Sequence, residues 1–273
     1  MNIVTLFPIA GLITFIAAYL VWSRALNSST GNNVPQESIL IGLQSIAILL
    51  TLTGIVLLEP ISAKAIHFKL QEAAATATLF VQAMYLFGLI RHHIQGLGLF
   101  LLPVIAMVLL IIPILPDDTS TGLLQMSSAL QTGHLLLSML AYAVLTMAAF
   151  HAIMHLLLDQ ALKRKRIHPV IQAMPPLMKI EAMMLTLLHW SVWLIALSIL
   201  TGLTWQWIDF SNFALFSHKV LLAFFSFFML SWLLIKQKKA AWHGRRTSQF
   251  ILAAYCLMLL AYFGVRLIHS WLA

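Results

Sequence analysis

The sequence contains few cysteines and few charged residues. Among its 273 residues there is one cysteine, Cys256, and charged residues make up 9% of the chain. A single cysteine excludes an internal disulfide, a redox-active CxxC pair and covalent haem attachment through a CxxCH motif. The sequence also lacks a nucleophile elbow, a glycine-rich phosphate loop and paired carboxylates within an apolar run, which argues against hydrolysis and ATP-driven transport. Any metal or haem would need ligands other than cysteine.

Apolar residues, by contrast, dominate the chain. They account for 61% of it, and the mean hydropathy of +0.94 lies outside the range of soluble domains. A hydrocarbon core of about 30 Å requires roughly 20 apolar residues per helix. The runs that meet this length are 3–23, 38–58, 73–91, 96–115, 134–158, 182–204, 216–235 and 249–270. The sequence therefore predicts an all-α polytopic membrane protein with about eight transmembrane helices, forming a single domain over residues 1–273.

The distribution of basic residues predicts how the chain is oriented in the membrane. The connections at 159–179 and 236–246 are strongly basic. In the connections at 116–125 and 205–217, the only charged residues are acidic. Because basic loops stay on the cytoplasmic side, both termini are expected on the outer, periplasmic side of a bacterial inner membrane. The net charge of +8 is explained by these short loops, so we expect a lipid bilayer and no nucleic acid as partner.

Nine of the eleven histidines fall into two groups along the membrane normal, and His168 and His243 are expected in cytoplasmic loops. The outer group comprises His67, His134, His218 and His269. The inner group comprises His92, His93, His151, His155 and His189. A single interfacial histidine often does no more than contact water and headgroups. For His92 and His93, an interfacial basic cluster and a cytoplasmic haem or metal contact both stay open. For His151, His155 and His189, a second haem site and an ordinary interfacial role both stay open.

Cations and aromatic residues accompany the outer histidines. His269 follows Arg266 by one helical turn, and a cation in an apolar run is costly unless it meets water or an anion. Lys219 follows His218, and the outer loop expected before them contains Trp205 and Trp207. Zinc fits this set poorly because Asp209 is the sole acid beside it. Haem fits better, since imidazoles ligate iron, aromatic rings pack on the porphyrin, and arginine or lysine pairs with propionates.

Two segments of the sequence resemble a known family. Residues 241–273 contain "GRR", then "YFGV" and a terminal "IHS", and residues 134–145 read "HLLLSMLAYAVL". These resemble the closing helix and a histidine-led helix of the cytochrome c assembly proteins of the CcsA, ResC and CcmC group. The likeness is greatest to the YpjD and HemX-like inner-membrane subfamily. It covers residues 130–273, which are expected to contain the cytochrome c assembly-like core.

The resemblance implies non-covalent binding of haem b at the outer face. Its axial ligands would be His134 and His269, with His218 as a possible substitute. The other contacts implied are Trp205 and Trp207 on the porphyrin, and Arg266 and Lys219 on the propionates. Expected partners are haem and other cytochrome or haem-assembly membrane proteins.

The sequence also departs from the family pattern. The family's tryptophan-rich motif "WGxxWxWDPKE" is reduced here to "TWQWIDFSNFALFSHK", residues 204–219. Delivery of haem to a cytochrome c therefore does not follow from the resemblance, and we expect a haem-handling or assembly factor rather than an enzyme. The alternative is a HemX-like scaffold or regulator that binds no haem and affects the assembly or abundance of a partner protein.

Overall fold

A computed structural model describes residues 5–27, 36–58, 70–92, 94–115, 129–165, 168–210, 218–240 and 244–260. All regular structure within these segments is helical, which confirms the predicted all-α class. The α-helices are α1 (Leu6–Asn27), α2 (Gln36–Leu58), α3 (Leu70–His92), α4 (Gly98–Ile111), α5 (Ala129–Lys163), α6 (Pro169–Gln172), α7 (Leu177–Phe210), α8 (His218–Ala240) and α9 (Arg245–Leu259). Short 3-10 turns precede and follow α4.

Seven of the described helical segments are long and apolar enough to cross a bilayer. They are α1, α2, α3, α5, α7 and α8, together with Gln95–Ile114, which contains α4. They coincide with the first seven apolar runs of the sequence. The eighth run, 249–270, is described only as far as Leu260 in α9. The protein is thus a multi-pass membrane protein.

Helix α7 corrects one expectation about the tryptophan segment. Residues 205–210 were expected to lie in an outer loop, but α7 has 34 residues and continues to Phe210. Neither proline nor glycine occurs between Leu203 and Phe210, so nothing in the local sequence interrupts the helix. At 1.5 Å per residue α7 is about 51 Å long, well beyond a hydrocarbon core of about 30 Å. Trp205 and Trp207 therefore lie on a helix rather than in a loop.

Two hydrophobic cores share helices α5 and α7. The first core contains residues of α1, α2, α3 and α4 together with one face of α5. The second lies between α5, α7, α8 and α9 and includes Met139, Leu145, Met184, Leu188, Leu230 and Ile251. The long α5 thus connects the two halves of the bundle. The functional site described below lies at one end of the second core.

Helices α5 and α9 are antiparallel, and two side-chain hydrogen bonds fix their register. His155 Nδ1 lies 3.1 Å from Ser248 Oγ. Farther along the pair, Thr146 Oγ1 donates to the Tyr255 hydroxyl oxygen at 3.2 Å. From the first bond to the second, the residue number decreases along α5 and increases along α9. Residues on one helix can therefore be matched in height with residues on the other.

A glycine allows α1 and α4 to approach closely. A Cβ atom at Gly11 would lie 3.1 Å from Leu110 Cγ and 3.2 Å from the Ala106 carbonyl oxygen, whereas one at Gly42 would meet nothing within 4 Å. Because a backbone oxygen cannot move aside cheaply, we expect Gly11→Ala to destabilise the protein by about 1–3 kcal/mol. Gly42→Ala should be neutral or stabilising, since alanine favours a helix by about 1 kcal/mol over glycine.

Thermal unfolding of both variants in one detergent, followed by circular dichroism, checks this difference. Equal melting temperatures for Gly11→Ala and Gly42→Ala would contradict the close packing of α1 on α4.

Candidate functional site

A cavity of about 280 Å³ lies at one end of the second core, between α5, α7, α8 and α9. Most of its wall is apolar, with contributions such as Leu135, Ile195 and Met258. The polar side chains that line it are Gln131, His134, Ser138, Tyr142, Ser198 and Gln206. We call it the outer cavity, because the predicted topology places this end of the bundle at the outer face. An apolar pocket with a few polar groups is typical of a binding site.

The imidazole of His134 is held in one tautomer at the outer cavity. Its Nδ1 atom lies 2.9 Å from the Ser198 carbonyl oxygen, which can only accept a hydrogen bond. The proton therefore resides on Nδ1, and Nε2 carries the lone pair. Thr201 Oγ1 lies 3.4 Å from the same nitrogen and donates its own proton to backbone carbonyls of α7. This arrangement, with one ring nitrogen tied to a carbonyl, is the one found in metal-ligating histidines.

A glycine and a tryptophan of α7 also lie against the imidazole of His134. A Cβ atom at Gly202 would lie 2.7 Å from Cε1 and 3.2 Å from Nε2 of His134, so the ring edge rests against bare backbone. The Trp205 ring is stacked on the imidazole with 6.4 Å between ring centres and 18° between planes. Ser198, Gly202 and Trp205 are spaced i, i+4, i+7 and share one face of α7. One helix face thus orients the imidazole from three sides.

The family of the chain follows from a match over most of its length. The sequence pattern of the family described as "Cytochrome C assembly protein" matches residues 42–272. The chain belongs to the cytochrome c assembly protein family. The match begins well before residue 130. The family pattern therefore also covers residues 42–129, where the sequence had indicated only apolar helices. The cavity that contains His134 is therefore a feature of a cytochrome c assembly family protein.

Curated relatives cover only part of the chain. The inner membrane protein YpjD of Escherichia coli strain K12 is 34% identical over 137 residues, which is 50% of this chain and 51% of that protein. An uncharacterized 28.8 kDa protein in the nifR3-like 5' region of Azospirillum brasilense is 33% identical over 135 residues, 50% of each chain. The alignments thus span about half the length of these relatives. No solved structure shows a significant match.

The structure describes only part of the remaining outer residues that the family resemblance implies. Trp207 is 56% exposed and does not line the cavity, because two residues along a helix turn a side chain by about 200° from Trp205. His218 and Lys219 lie in the first turn of α8, but their side chains are outside the described part of the structure. Arg266 and His269 lie outside the described residues altogether.

The inner histidines that the structure describes are His92, His151, His155 and His189, and they do not form one cluster. Among the residues that the structure describes, no group of three or more histidine, cysteine, aspartate or glutamate side chains could hold a metal ion. His189 Nδ1 bonds to the Leu185 carbonyl oxygen of its own helix at 2.8 Å. His92 is exposed beside Phe87, and His93 lies outside the described residues.

Two inner histidines are buried on α5. His151 and His155 are only 3% and 2% exposed. His151 Nδ1 bonds to the Met147 carbonyl oxygen at 2.7 Å, and His155 Nδ1 meets Ser248 as described above. His155 Nε2 has no hydrogen-bond partner in the described segments. At 1.5 Å per residue, the 21 residues between His134 and His155 correspond to about 32 Å, close to the thickness of a hydrocarbon core.

Sequence reasoning identified His134 and Trp205 but missed Ser198 and Gly202. Within an apolar run, a serine and a glycine are typical of close helix packing, and this pattern alone does not indicate a binding site. Their spacing to Trp205 on one helix face was the available signal. It becomes informative only when the structure shows which face of α7 meets α5.

Proposed function

We propose that this chain is a haem-binding protein of the bacterial inner membrane, in which His134 supplies one axial ligand at the outer face. The observation that carries the proposal is the imidazole of His134, which lines an apolar cavity and donates its Nδ1 proton to the Ser198 carbonyl oxygen, so that Nε2 keeps its lone pair. Family membership and the name of the inner membrane protein YpjD support the assignment to haem handling and to this membrane.

The donor chemistry of the outer cavity suits haem. A neutral imidazole ligates haem iron, and the apolar wall with Trp205 suits the porphyrin ring. The cavity within the described residues has a volume of about 280 Å³, just below the range of about 300–1,000 Å³ for ligand pockets. Residues 211–217 and 261–273, which follow α7 and α9, lie outside the described residues. Bound haem would supply an iron that accepts two axial ligands, and two propionates that accept hydrogen bonds from cations.

The register between α5 and α9 supports His269 as the second ligand. His134 lies 21 residues before His155 on α5, and His269 lies 21 residues after Ser248. His155 and Ser248 are in direct contact, and the two helices are antiparallel. Leu260 still has right-handed helical dihedral angles. Because α-helices rise equally per residue, a helical continuation of α9 would bring residue 269 to the height of His134.

The same proposal gives roles to nearby polar residues. Arg266 would lie one turn before His269 and would pair with a propionate, for which the planar guanidinium of arginine is well suited. Lys219 at the start of α8 is the second candidate for a propionate. His218 is the alternative axial ligand. The exposed position of Trp207 favours Trp205 as the aromatic contact.

An absorption spectrum of the purified protein, oxidised and then reduced, tests the proposed function. We expect a Soret band after expression with sufficient haem or after reconstitution. A protein that stays colourless under both conditions would refute haem binding. In that case capture of a membrane partner that is insensitive to His134 substitution would support the HemX-like scaffold instead.

Substitution of the second ligand should change the spectrum in a distinctive way. With His134 and His269 both on iron, the haem is six-coordinate and low-spin. We expect His269→Ala to give a five-coordinate, high-spin haem with a shifted Soret band, and His218→Ala to leave the spectrum unchanged. If His218→Ala produces the high-spin spectrum and His269→Ala does not, then His218 is the second ligand.

A further inference from the structure

An aromatic residue and a cation are in contact on α8, and a second cation begins α9. Lys236 Nζ is 4.7 Å from the ring centre of Trp232, one helical turn earlier on α8. The Trp232 side chain is 53% exposed, so the ammonium is held over an indole that faces out of the bundle. Arg245, the first residue of α9, is also exposed. We call these three residues the Trp232–Lys236–Arg245 surface.

The connection between α8 and α9 keeps this surface compact. Three residues join Ala240 to Gly244, and a chain of that length spans at most about 14 Å. Gly244 has φ of +70°, a conformation that favours glycine, and this turn leads directly into α9. Helices α8 and α9 pack against each other. Arg245 therefore follows the end of α8 that contains Lys236 after only a short connection.

Neither cation of the surface is neutralised within the described segments. No carboxylate there forms an ion pair with Lys236 or Arg245, whereas Lys163 pairs with Asp159 at 2.8 Å. The acid at this turn is Glu181, whose Oε1 accepts a hydrogen bond from the Gly244 backbone N–H at 2.8 Å. Two positive charges thus lie at the end of α8 and the start of α9, on the side that the basic loops predict to be cytoplasmic.

An apolar stripe continues from these cations towards the middle of the membrane. Phe225, Phe228 and Trp232 are 60%, 63% and 53% exposed and follow one another at three- and four-residue spacing on α8. The order along α8 is a cation, an indole one turn farther on and then an apolar stripe, and this order matches the phosphate, glycerol backbone and acyl chain of a phospholipid. The positive charge selects a lipid with a net negative headgroup.

We propose that the Trp232–Lys236–Arg245 surface binds an anionic phospholipid of the inner leaflet. The lipid phosphate lies between the Lys236 ammonium and the Arg245 guanidinium, and an acyl chain lies along Phe228 and Phe225. This site is separate from the outer cavity, and it does not depend on whether the protein binds haem.

Lipid retention by the intact, purified protein tests the proposal. After detergent exchange, the protein is equilibrated with phosphatidylglycerol or phosphatidylcholine, and bound lipid is counted by native mass spectrometry. We expect selective retention of phosphatidylglycerol. Lys236→Gln and Arg245→Gln should each weaken it about fivefold, the factor that corresponds to about 1 kcal/mol per cation near an anionic lipid. Trp232→Ala should weaken it as well.

Matched controls distinguish lipid binding at this surface from a general effect of basic or aromatic residues. Lys163→Gln removes a basic-rim cation that is already paired, and Trp190→Ala removes a tryptophan of α7 that is 62% exposed. Both should retain phosphatidylglycerol as the parent protein does. Inorganic phosphate should not compete with the lipid, because it lacks the acyl chain. Equal retention by the Lys236→Gln/Arg245→Gln double variant and by Lys163→Gln would overturn the proposal, as would equal retention of both lipids by the parent protein.

Discussion

Replacing His134 with alanine is expected to reduce haem retention by more than 100-fold while leaving the helical bundle folded. The side chain is partly buried at the outer cavity and makes its main hydrogen bond to the Ser198 carbonyl. Loss of a metal ligand should exceed the loss of about 10- to 100-fold seen when only an outer partner of a ligand is changed. The haem-to-protein ratio after purification, together with a titration of the apoprotein with haem, measures the effect.

A control histidine distinguishes ligation from general loss of imidazole. His92 is exposed at the opposite end of the bundle, so His92→Ala should keep the parental haem content. Helicity measured by circular dichroism should be the same for both variants. A His134→Ala protein with unchanged haem affinity and an unchanged Soret band would exclude His134 as the axial ligand.

Adding a single methyl group at Gly202 should also impair haem binding, although less than replacing His134. A Cβ atom there would lie 2.7 Å from Cε1 of His134, closer than carbon atoms approach, so the imidazole must move. That movement breaks the bond from Nδ1 to Ser198 and displaces Nε2. We expect Gly202→Ala to weaken haem binding by about 10- to 100-fold, the range for loss of an outer partner. An apoprotein titration with haem gives the value.

Gly133 provides a matched control for the same chemical change. It precedes His134 on α5, and a Cβ atom there would meet nothing within 4 Å. Gly133→Ala should therefore preserve haem binding, and it should stabilise α5 slightly because alanine favours a helix. If Gly202→Ala binds haem with the parental affinity, then the imidazole of His134 does not bind haem from its position against Gly202.

Hydropathy predicted which segments form helices, but it did not predict where they end. The apolar runs mark the part of each helix that lies in hydrocarbon, so α7 was expected to end near residue 204. The helix continues to Phe210 because no residue in that stretch breaks it. This difference decides the role of the tryptophans. On a helix Trp205 and Trp207 point in different directions, whereas a loop would have left both available to one ligand.

The candidate site was predictable only in part, for a physical reason. A histidine and a tryptophan differ from their apolar surroundings, so His134 and Trp205 could be identified from the sequence. Ser198 contributes its backbone carbonyl and Gly202 contributes the absence of a side chain, and neither property distinguishes one serine or glycine from another. Both roles arise from the packing of α5 on α7, which is a tertiary contact.

The hydrogen bond between His155 and Ser248 also limits how sequences with this architecture can change length. In a chain that uses His134 and His269 as proposed, each lies 21 residues along the sequence from this bond, and the proposal takes both intervals as helical. One residue inserted within either interval would rotate the distal histidine by about 100° and shift it by about 1.5 Å. Connecting loops can gain or lose residues freely. We therefore expect insertions and deletions to be absent from these two intervals in functional members that share the histidine pair.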